Sequence, residues 1–481
     1  MFRDDIGWIL EEAASVYGAD SLVKKTRVSR SAVDAWLTGS EKPSKEHQRQ
    51  LTRLVEPWVC DLFQNPPAKD LRVLSLFSGC GGMDLGFEGG FDVLSESVNP
   101  MLHPEWLPLE DRKDWVTLPS TRFKTVFSND ILPFAKAAWG PFFEKRGNAP
   151  SSYFVESVVD LVKKSRAGGF SFPEADVVTG GFPCQDFSVA GKRKGFSSHK
   201  AHHGDKLLDL DNPTEENRGK LYMWMRHVVD IVRPKVFIAE NVKGLVSLSN
   251  VKHIIENDFR TIGSGYLVMD ANVLRAPDFG VPQTRERVIF IGLRRDCLTE
   301  DALRELEKKT IPAGFDPYPS PTHGENGAGY FLPYVTVGQC LKGLVEPACS
   351  DDLSQQTYSK CKFYGTHCQG QKEVDLNRPG PTIRAEHHGN IEFRRLSKEH
   401  GGKHVDELRK GMKERRLSVR ECARIQTFPD DFEFVRPKHV LGDAFKINGS
   451  EGYKVIGNAV PPLLAYHIAW RLQELWEKLF R

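Results

Sequence analysis

The sequence predicts an α/β protein with a doubly wound, mostly parallel sheet, an irregular second domain and a small all-α domain at the N-terminus. Three observations carry this. Short apolar runs at Leu71–Phe77, at Asp176-Val177-Val178 and at Pro234–Ala239 read as buried strands, each ending abruptly. The first breaks into Ser78-Gly79-Cys80-Gly81-Gly82-Met83-Asp84-Leu85-Gly86, a glycine-rich turn that opens a helix, as in folds that let a nucleotide-like ligand approach the backbone. Residues 294–415 are irregular and rich in turn formers, unlike the regular pattern before them.

The elements follow in order. Val126-Phe127-Ser128-Asn129-Asp130 reads as the second strand, ending in a carboxylate. An acid there can hold ribose hydroxyls, cap a helix over Ile131–Trp139, or do both. The run at 176–178 leads into Gly180-Gly181-Phe182-Pro183-Cys184-Gln185-Asp186-Phe187-Ser188. A thiol on such a tight loop is fixed in place, and nearby cationic groups or helix ends can lower its pKa, so Cys184 is a candidate nucleophile. Pro234–Ala239 ends in Glu240-Asn241-Val242, and Gln283-Thr284-Arg285-Glu286-Arg287 leads into the apolar strand Val288–Gly292. Arg416–Pro429 reads as a structural helix, and Gly457-Asn458 precedes a last helix from Pro461 that should return beside the glycine turn.

Composition narrows the possibilities. The 481 residues allow two to three domains, and a net charge of +2 leaves nucleic-acid binding to local basic patches. Arg294-Arg295, Arg394-Arg395 and Arg415-Arg416 are candidates for such patches. There is no GxxxxGK[ST] loop, so nucleoside triphosphate use is not expected. Arg3, Asp4 and Asp5 interrupt any leader-like start, and no run of eighteen apolar residues occurs. The nine cysteines lack regular spacing, which points to free thiols in a reducing cytoplasm. Cys340, Cys349, Cys361 and Cys368 lack CxxC pairs, and His199, His202 and His203 lie in a polar loop, so no metal is expected.

Together, Pro183-Cys184, Glu240-Asn241-Val242, the Gln283/Arg285/Arg287 set and Gly457-Asn458, in this order, resemble the cytosine-C5 DNA methyltransferases over residues 71–481. The resemblance implies a sheet of the S-adenosylmethionine-dependent methyltransferase type. It implies that Cys184 adds to cytosine C6, since C5 is a poor nucleophile until the ring is activated. Glu240 corresponds to the acid near N3, Arg287 to the contact with cytosine O2 and the glutamate, and Arg285 to its supporting neighbour. Gln185 and Asn241 correspond to groups that hold water near C5. S-adenosylmethionine is the implied donor and S-adenosylhomocysteine the product. Phe77 would stack on adenine, Gly79, Gly81 and Gly82 would give backbone access, and Asp160 would accept from the adenine amino group. Gly181, Pro183, Leu221 and Asn458 would complete that pocket. Asp130 is the expected ribose acid and Glu96 its rival, because the interval from the glycine turn to Asp130 departs from the family pattern.

The substrate implied is double-stranded DNA with the target cytosine flipped out. The basic stretch Ala190–His203 resembles the loop that closes over DNA, and Ser188 and Arg218 resemble phosphate contacts. The expected domains are 1–66, 71–293 completed by 440–481, and 294–439 for target recognition, where Thr382 and Arg384 are the candidate contacts. Residues 21–39 resemble a phage-repressor helix-turn-helix, with Ser29, Arg30, Ser31 and Asp34 as candidate readers, or else a small bundle used for packing. Such a domain suits B-form DNA better than RNA and makes the protein's own promoter a possible partner. A bacterial cytoplasmic, nucleoid-associated enzyme with a cognate restriction enzyme is expected, with no membrane and no obligatory protein partner. The alternatives are a tRNA methyltransferase of the same fold and a regulator with a vestigial catalytic body.

Overall fold

The computed structural model describes residues 22–23, 28–38, 40–41, 43–44, 47, 70–107, 114–183, 221–247, 251–327, 329–385, 391–437 and 445–481. Cys184, Gln185, Ser188, Arg218, the loop 190–203 and most of residues 1–66 lie outside these. Of the N-terminal readers, Arg30, Ser31 and Asp34 stand on helix α1 (Arg30–Leu37) and Ser29 caps it, accepting from the Ala32 amide. Arg30 pairs with Asp34 one turn on, while Leu22, Val33 and Trp36 are buried.

The sheet comprises β1 (Leu71–Leu76), β4 (Phe123–Asp130), β5 (Tyr153–Val155), β6 (Val177–Gly181), β7 (Val236–Val242), β8 (Tyr266–Val268), β9 (Asn272–Arg275) and β10 (Glu286–Arg294). Its order is β5-β4-β1-β6-β7-β10-β8, with β9 on β10. The first five of these pair in parallel, and β10 runs antiparallel to β7, β8 and β9. Successive strand residues face opposite sides. Val73, Val177, Val236 and Ile238 enter one core, while Leu74, Val178, Phe237 and Ala239 enter the other. Both faces are covered, so these strands read as continuous apolar runs without alternation.

The first core contains α2 (Gly82–Glu88), α3 (Pro133–Lys145) and α10 (Pro462–Leu479); the second contains α4 (Val158–Arg166), α5 (Leu221–Val232) and α6 (Val251–Arg260). Helix α10 packs on α2, as the sequence led us to expect. The contact is so close that a Cβ on Gly86 would lie 2.4 Å from the Ala465 Cβ. Asp84 joins the layers underneath. Its carboxylate accepts from Ser75 Oγ at 2.5 Å, Ser128 Oγ at 2.9 Å and Trp139 Nε1 at 3.0 Å. Burial nevertheless pushes its pKa up to about 6.

Three expectations are corrected. A hairpin of β2 (Asp92–Leu94) and β3 (Trp115–Thr117) lies off the main sheet between α2 and β4, which accounts for the long interval before Asp130. The next helix starts at Pro133, where a proline at the first position needs no amide partner, with Leu132 as its cap. Arg394, Arg395, Arg415 and Arg416 do not form a surface patch. Arg395 pairs with Glu346 and Glu407, and Arg415 with Glu346 and Glu421, all within residues 346–421. The carboxylates offset the cost of burying the Arg395 and Arg415 charges.

The segment after Arg294 also divides differently from its composition. Helix α7 (Glu300–Leu306) follows a bridge between Leu298 and Phe480, and Arg471 of α10 donates to the Asp316 carbonyl at 3.0 Å. Residues 295–316 therefore pack on the sheet's own C-terminal helix. Helix α8 (Val419–Ile425) is closed by a capping box of Ser418 and Glu421. No helix among the described residues is long and apolar enough to cross a membrane.

Candidate active site

The carboxyl ends of β1, β4, β5, β6 and β7 meet along one edge, where an open parallel sheet places its ligands. The chain leaves β1 through Phe77, an aromatic residue at φ 54°, in the left-handed region that non-glycine residues rarely occupy. Gly79 follows at φ 55° and is held from both sides. Its amide donates to Asp130 Oδ2 at 3.0 Å, and its carbonyl accepts from the Tyr153 hydroxyl at 2.7 Å. The second Asp130 oxygen accepts from the Leu132 amide at 2.9 Å, and burial pushes this carboxyl above its ordinary range. Tyr153 had no signal in the sequence, since it acts across 74 residues.

The three turn glycines differ. A Cβ on Gly79 would meet nothing within 4 Å, so its face of the turn is open. A Cβ on Gly81 would meet Trp139 and Phe143 at 2.6 Å, and one on Gly82 the Val460 carbonyl at 2.3 Å. Gly81 and Gly82 are packing requirements, and only Gly79 borders open space. Open space beside Gly79, the half-buried Phe77 ring and the carboxylate of Asp130 fit an adenosine-containing group. Asp160 sits in the first turn of α4, whereas the acid directly after β5 is Glu156, which pairs with Lys164. Glu96 is exposed in a short turn after β2, a strand outside the main sheet, and its carbonyl is bonded by His323. Leu221 is buried at the start of α5, and Asn458 is exposed at the end of α9 (Gly449–Asn458).

The second half of the site is built by strand register. Gly181 pairs with Glu240 across β6 and β7, and Glu240 pairs with Ile289 across β7 and β10. Glu240 Oε1 lies 2.7 Å from Arg287 Nε, and Glu240 as a whole is 7% exposed. Burial pushes the Glu240 pKa up, and the positive charges of Arg287 and Arg285 oppose it. The Asn241 amide donates to the Phe182 carbonyl at 3.1 Å and its oxygen accepts from the Val242 amide. Asn241 thus fixes the backbone just before Pro183, and Gly181, two residues earlier, lies across from Glu240. A Cβ on Gly181 would fall 2.7 Å from Glu240 Oε2. Gly181→Ala should therefore displace the carboxylate and lower kcat at least tenfold with little change in Tm, as steady-state kinetics and thermal melts would show.

Gln283 and Arg285 form a clamp. Gln283 is fully buried; it accepts from the Ile383 amide at 3.0 Å and donates to Gln426 Oε1 at 2.5 Å. Arg285, also fully buried, donates to the Ile383 carbonyl at 3.1 Å and the Gly457 carbonyl at 2.9 Å. Thr382 Oγ1 bonds the Thr284 carbonyl, and Arg384 pairs with Glu392 at 3.4 Å. The strand carrying Arg287 is thereby tied to segment 380–385 and to the end of α9.

Residues 71–474 match the family described as C-5 cytosine-specific DNA methylase. The Type II methyltransferase M.NgoFVII of Neisseria gonorrhoeae is 30% identical over 408 residues, which cover 83% of this chain and 85% of that protein. M.BsuRI of Bacillus subtilis is 32% identical over 410 residues, 83% of this chain and 78% of its own length. M.BspRI of Lysinibacillus sphaericus is 33% identical over 412 residues, with 83% and 80% covered. Both the match over most of the chain and the architecture of the site lead to one conclusion: this protein belongs to the C-5 cytosine-specific DNA methylases.

Proposed function

We propose that the protein methylates C5 of a cytosine flipped out of a short, specific double-stranded DNA sequence, using Cys184 as nucleophile. The observation that supports the reading is the pairing of Gly181 with Glu240, whose carboxylate meets Arg287; a buried acid and its cation thus stand across from Gly181, two residues before Pro183. The donor of this family, S-adenosylmethionine, supplies an electrophilic methyl group. Phe77, Gly79 and Asp130 would hold it, with Asp160 or Glu156 at the adenine end and Gly181, Pro183, Leu221 and Asn458 around it.

The protein's own residues make C5 able to accept that methyl. The Cys184 thiolate adds to C6, forming an S–C6 bond, and the displaced electron pair gives C5 carbanion character. Glu240 gives a proton to N3, so charge does not accumulate on the ring. Arg287 orients Glu240 and is placed to reach the O2 edge. After C5 is methylated, water takes the C5 proton, the C5–H electron pair restores the C5–C6 double bond and expels the thiolate, and N3 returns its proton to Glu240. Asn241 positions the cysteine loop through Phe182; a part for Asn241 and Gln185 in holding water belongs to the same reading.

Relatives named as Type II methyltransferases favour protection of host DNA from a partner restriction enzyme. The helix α1 and its capping Ser29 fit a DNA-reading N-terminal domain with a role at the protein's own promoter; Cys184→Ala should then still repress that promoter. Labelled methyl transfer to plasmid DNA and to tRNA in parallel tests the assignment. Incorporation into plasmid alone supports it, and incorporation into tRNA alone sinks it.

A further inference from the structure

Arg416 is fully buried, yet its partners are backbone carbonyls from two chain segments that flank one loop. It donates to Cys361 O at 2.8 Å, Lys362 O at 3.1 Å and Gly370 O at 2.7 Å, and also to Ile391 O. Its guanidinium lies 4.0 Å over the Phe393 ring. Both legs of the loop 361–370 are thus stapled at their base by one charged group. The Tyr364 amide is held by Gln371 Oε1 at 2.9 Å, and Phe363 stacks inward on His400.

What this base holds outward is unusual. Lys360, Lys362, Tyr364, Thr366, His367, Cys368 and Gln369 are all exposed. Tyr364 is 62% exposed, the most among the exposed large hydrophobic side chains of the described residues. Residues 353–372 hold three lysines and no acidic residue, in a chain whose net charge is only +2. An exposed aromatic close in sequence to two exposed lysines, one of them stacked on Tyr358, on a base stapled by Arg416, suits a polyanion with stacked faces. The same Arg416 grips Ile391, and the next residue, Glu392, pairs with Arg384 of the segment clamped by Gln283 and Arg285. The loop therefore stands on the framework that ends at Glu240.

We propose that the loop 360–369 enters a groove of the target duplex and sets which sequence is methylated. Lys360 and Lys362 take phosphates, while Tyr364, His367 and Gln369 meet base edges. This rests on the DNA-methylating reading above.

The test uses the full-length protein and a duplex of about 30 base pairs containing the motif that bisulfite sequencing of plasmid DNA identifies. Tyr364→Ala should lower kcat/KM on that duplex at least tenfold or relax the methylated motif. Lys360→Ala with Lys362→Ala should flatten the slope of log affinity against log salt by about 1–2. Neither should change donor affinity or Tm. The duplex should slow iodoacetamide labelling of Cys368 at least tenfold but leave Cys297 unaffected, since Cys297 follows β10 at the opposite edge of the sheet. Unchanged motif, kcat/KM and Cys368 labelling would overturn the proposal while leaving the enzyme's activity established. A wild-type protein that methylates no duplex would instead remove the underlying reading, and this proposal with it.

Discussion

Glu240→Gln should lower kcat by roughly 10²–10⁴-fold, with the KM for DNA and for the methyl donor changing much less. The glutamine is close to isosteric, so it keeps contact with the base edge, but it has no proton to give up to N3. The pH profile separates this from a packing effect. Burial raises the Glu240 pKa, so the carboxyl stays protonated to higher pH than an exposed one. The wild-type rate should fall as pH rises through that pKa, because only the protonated form donates. On the acidic side it should fall as the Cys184 thiolate is lost. The glutamine variant should keep the acidic limb and lose the alkaline one. A stability loss on the order of 1–3 kcal/mol is also expected, since Arg287 keeps a half-buried guanidinium without its carboxylate. Single-turnover rates from pH 6 to 10 test both limbs, and a variant with wild-type kcat would refute the acid role.

The second large effect is at Cys184. Cys184→Ala should abolish methylation outright, because no other group activates C5, while leaving donor affinity intact. A duplex carrying 5-fluorocytosine at the target adds a sharper readout. Fluorine replaces the proton that must leave C5, so the adduct persists once it forms. The wild-type protein should run as a stable protein–DNA complex under denaturing conditions, and the alanine variant should not. An adduct that survives in Cys184→Ala would move the nucleophile to another cysteine. Cys80, Cys340 and Cys422 are poor alternatives: all three are buried, and burial pushes their thiols upward, away from the thiolate.

Much of this site was legible because its signals are local. A strand that stops at glycines, or at an acid, shows its end without any knowledge of its neighbours, and the candidate site is built on those strand ends. Gly181 and Glu240 are far apart in sequence, yet each is marked by its own strand end, and register brings them together. What stayed hidden is nonlocal. Tyr153 holds the Gly79 carbonyl from 74 residues away. Arg285 reaches Gly457 across 172 residues, which no spacing rule suggests. The paired arginines at 394–395 and 415–416 read as candidate basic patches because Glu346, the partner of Arg395 and Arg415, lies 49 and 69 residues upstream. The β2–β3 hairpin was missed because three-residue strands carry almost no periodicity. Asp130 shows a different lesson. Its placement at a strand end was legible, but its bonds to Gly79 and Leu132 were not, and those bonds give it a part in shaping the turn.

The central claim is site-specific cytosine methylation through Cys184. Bisulfite sequencing of plasmid DNA from cells expressing the protein, beside cells expressing Cys184→Ala, tests it most directly. Protected cytosines confined to one short motif on both strands, and absent in the variant, are the expected result. Soluble, donor-binding protein that leaves every plasmid cytosine unprotected would contradict it.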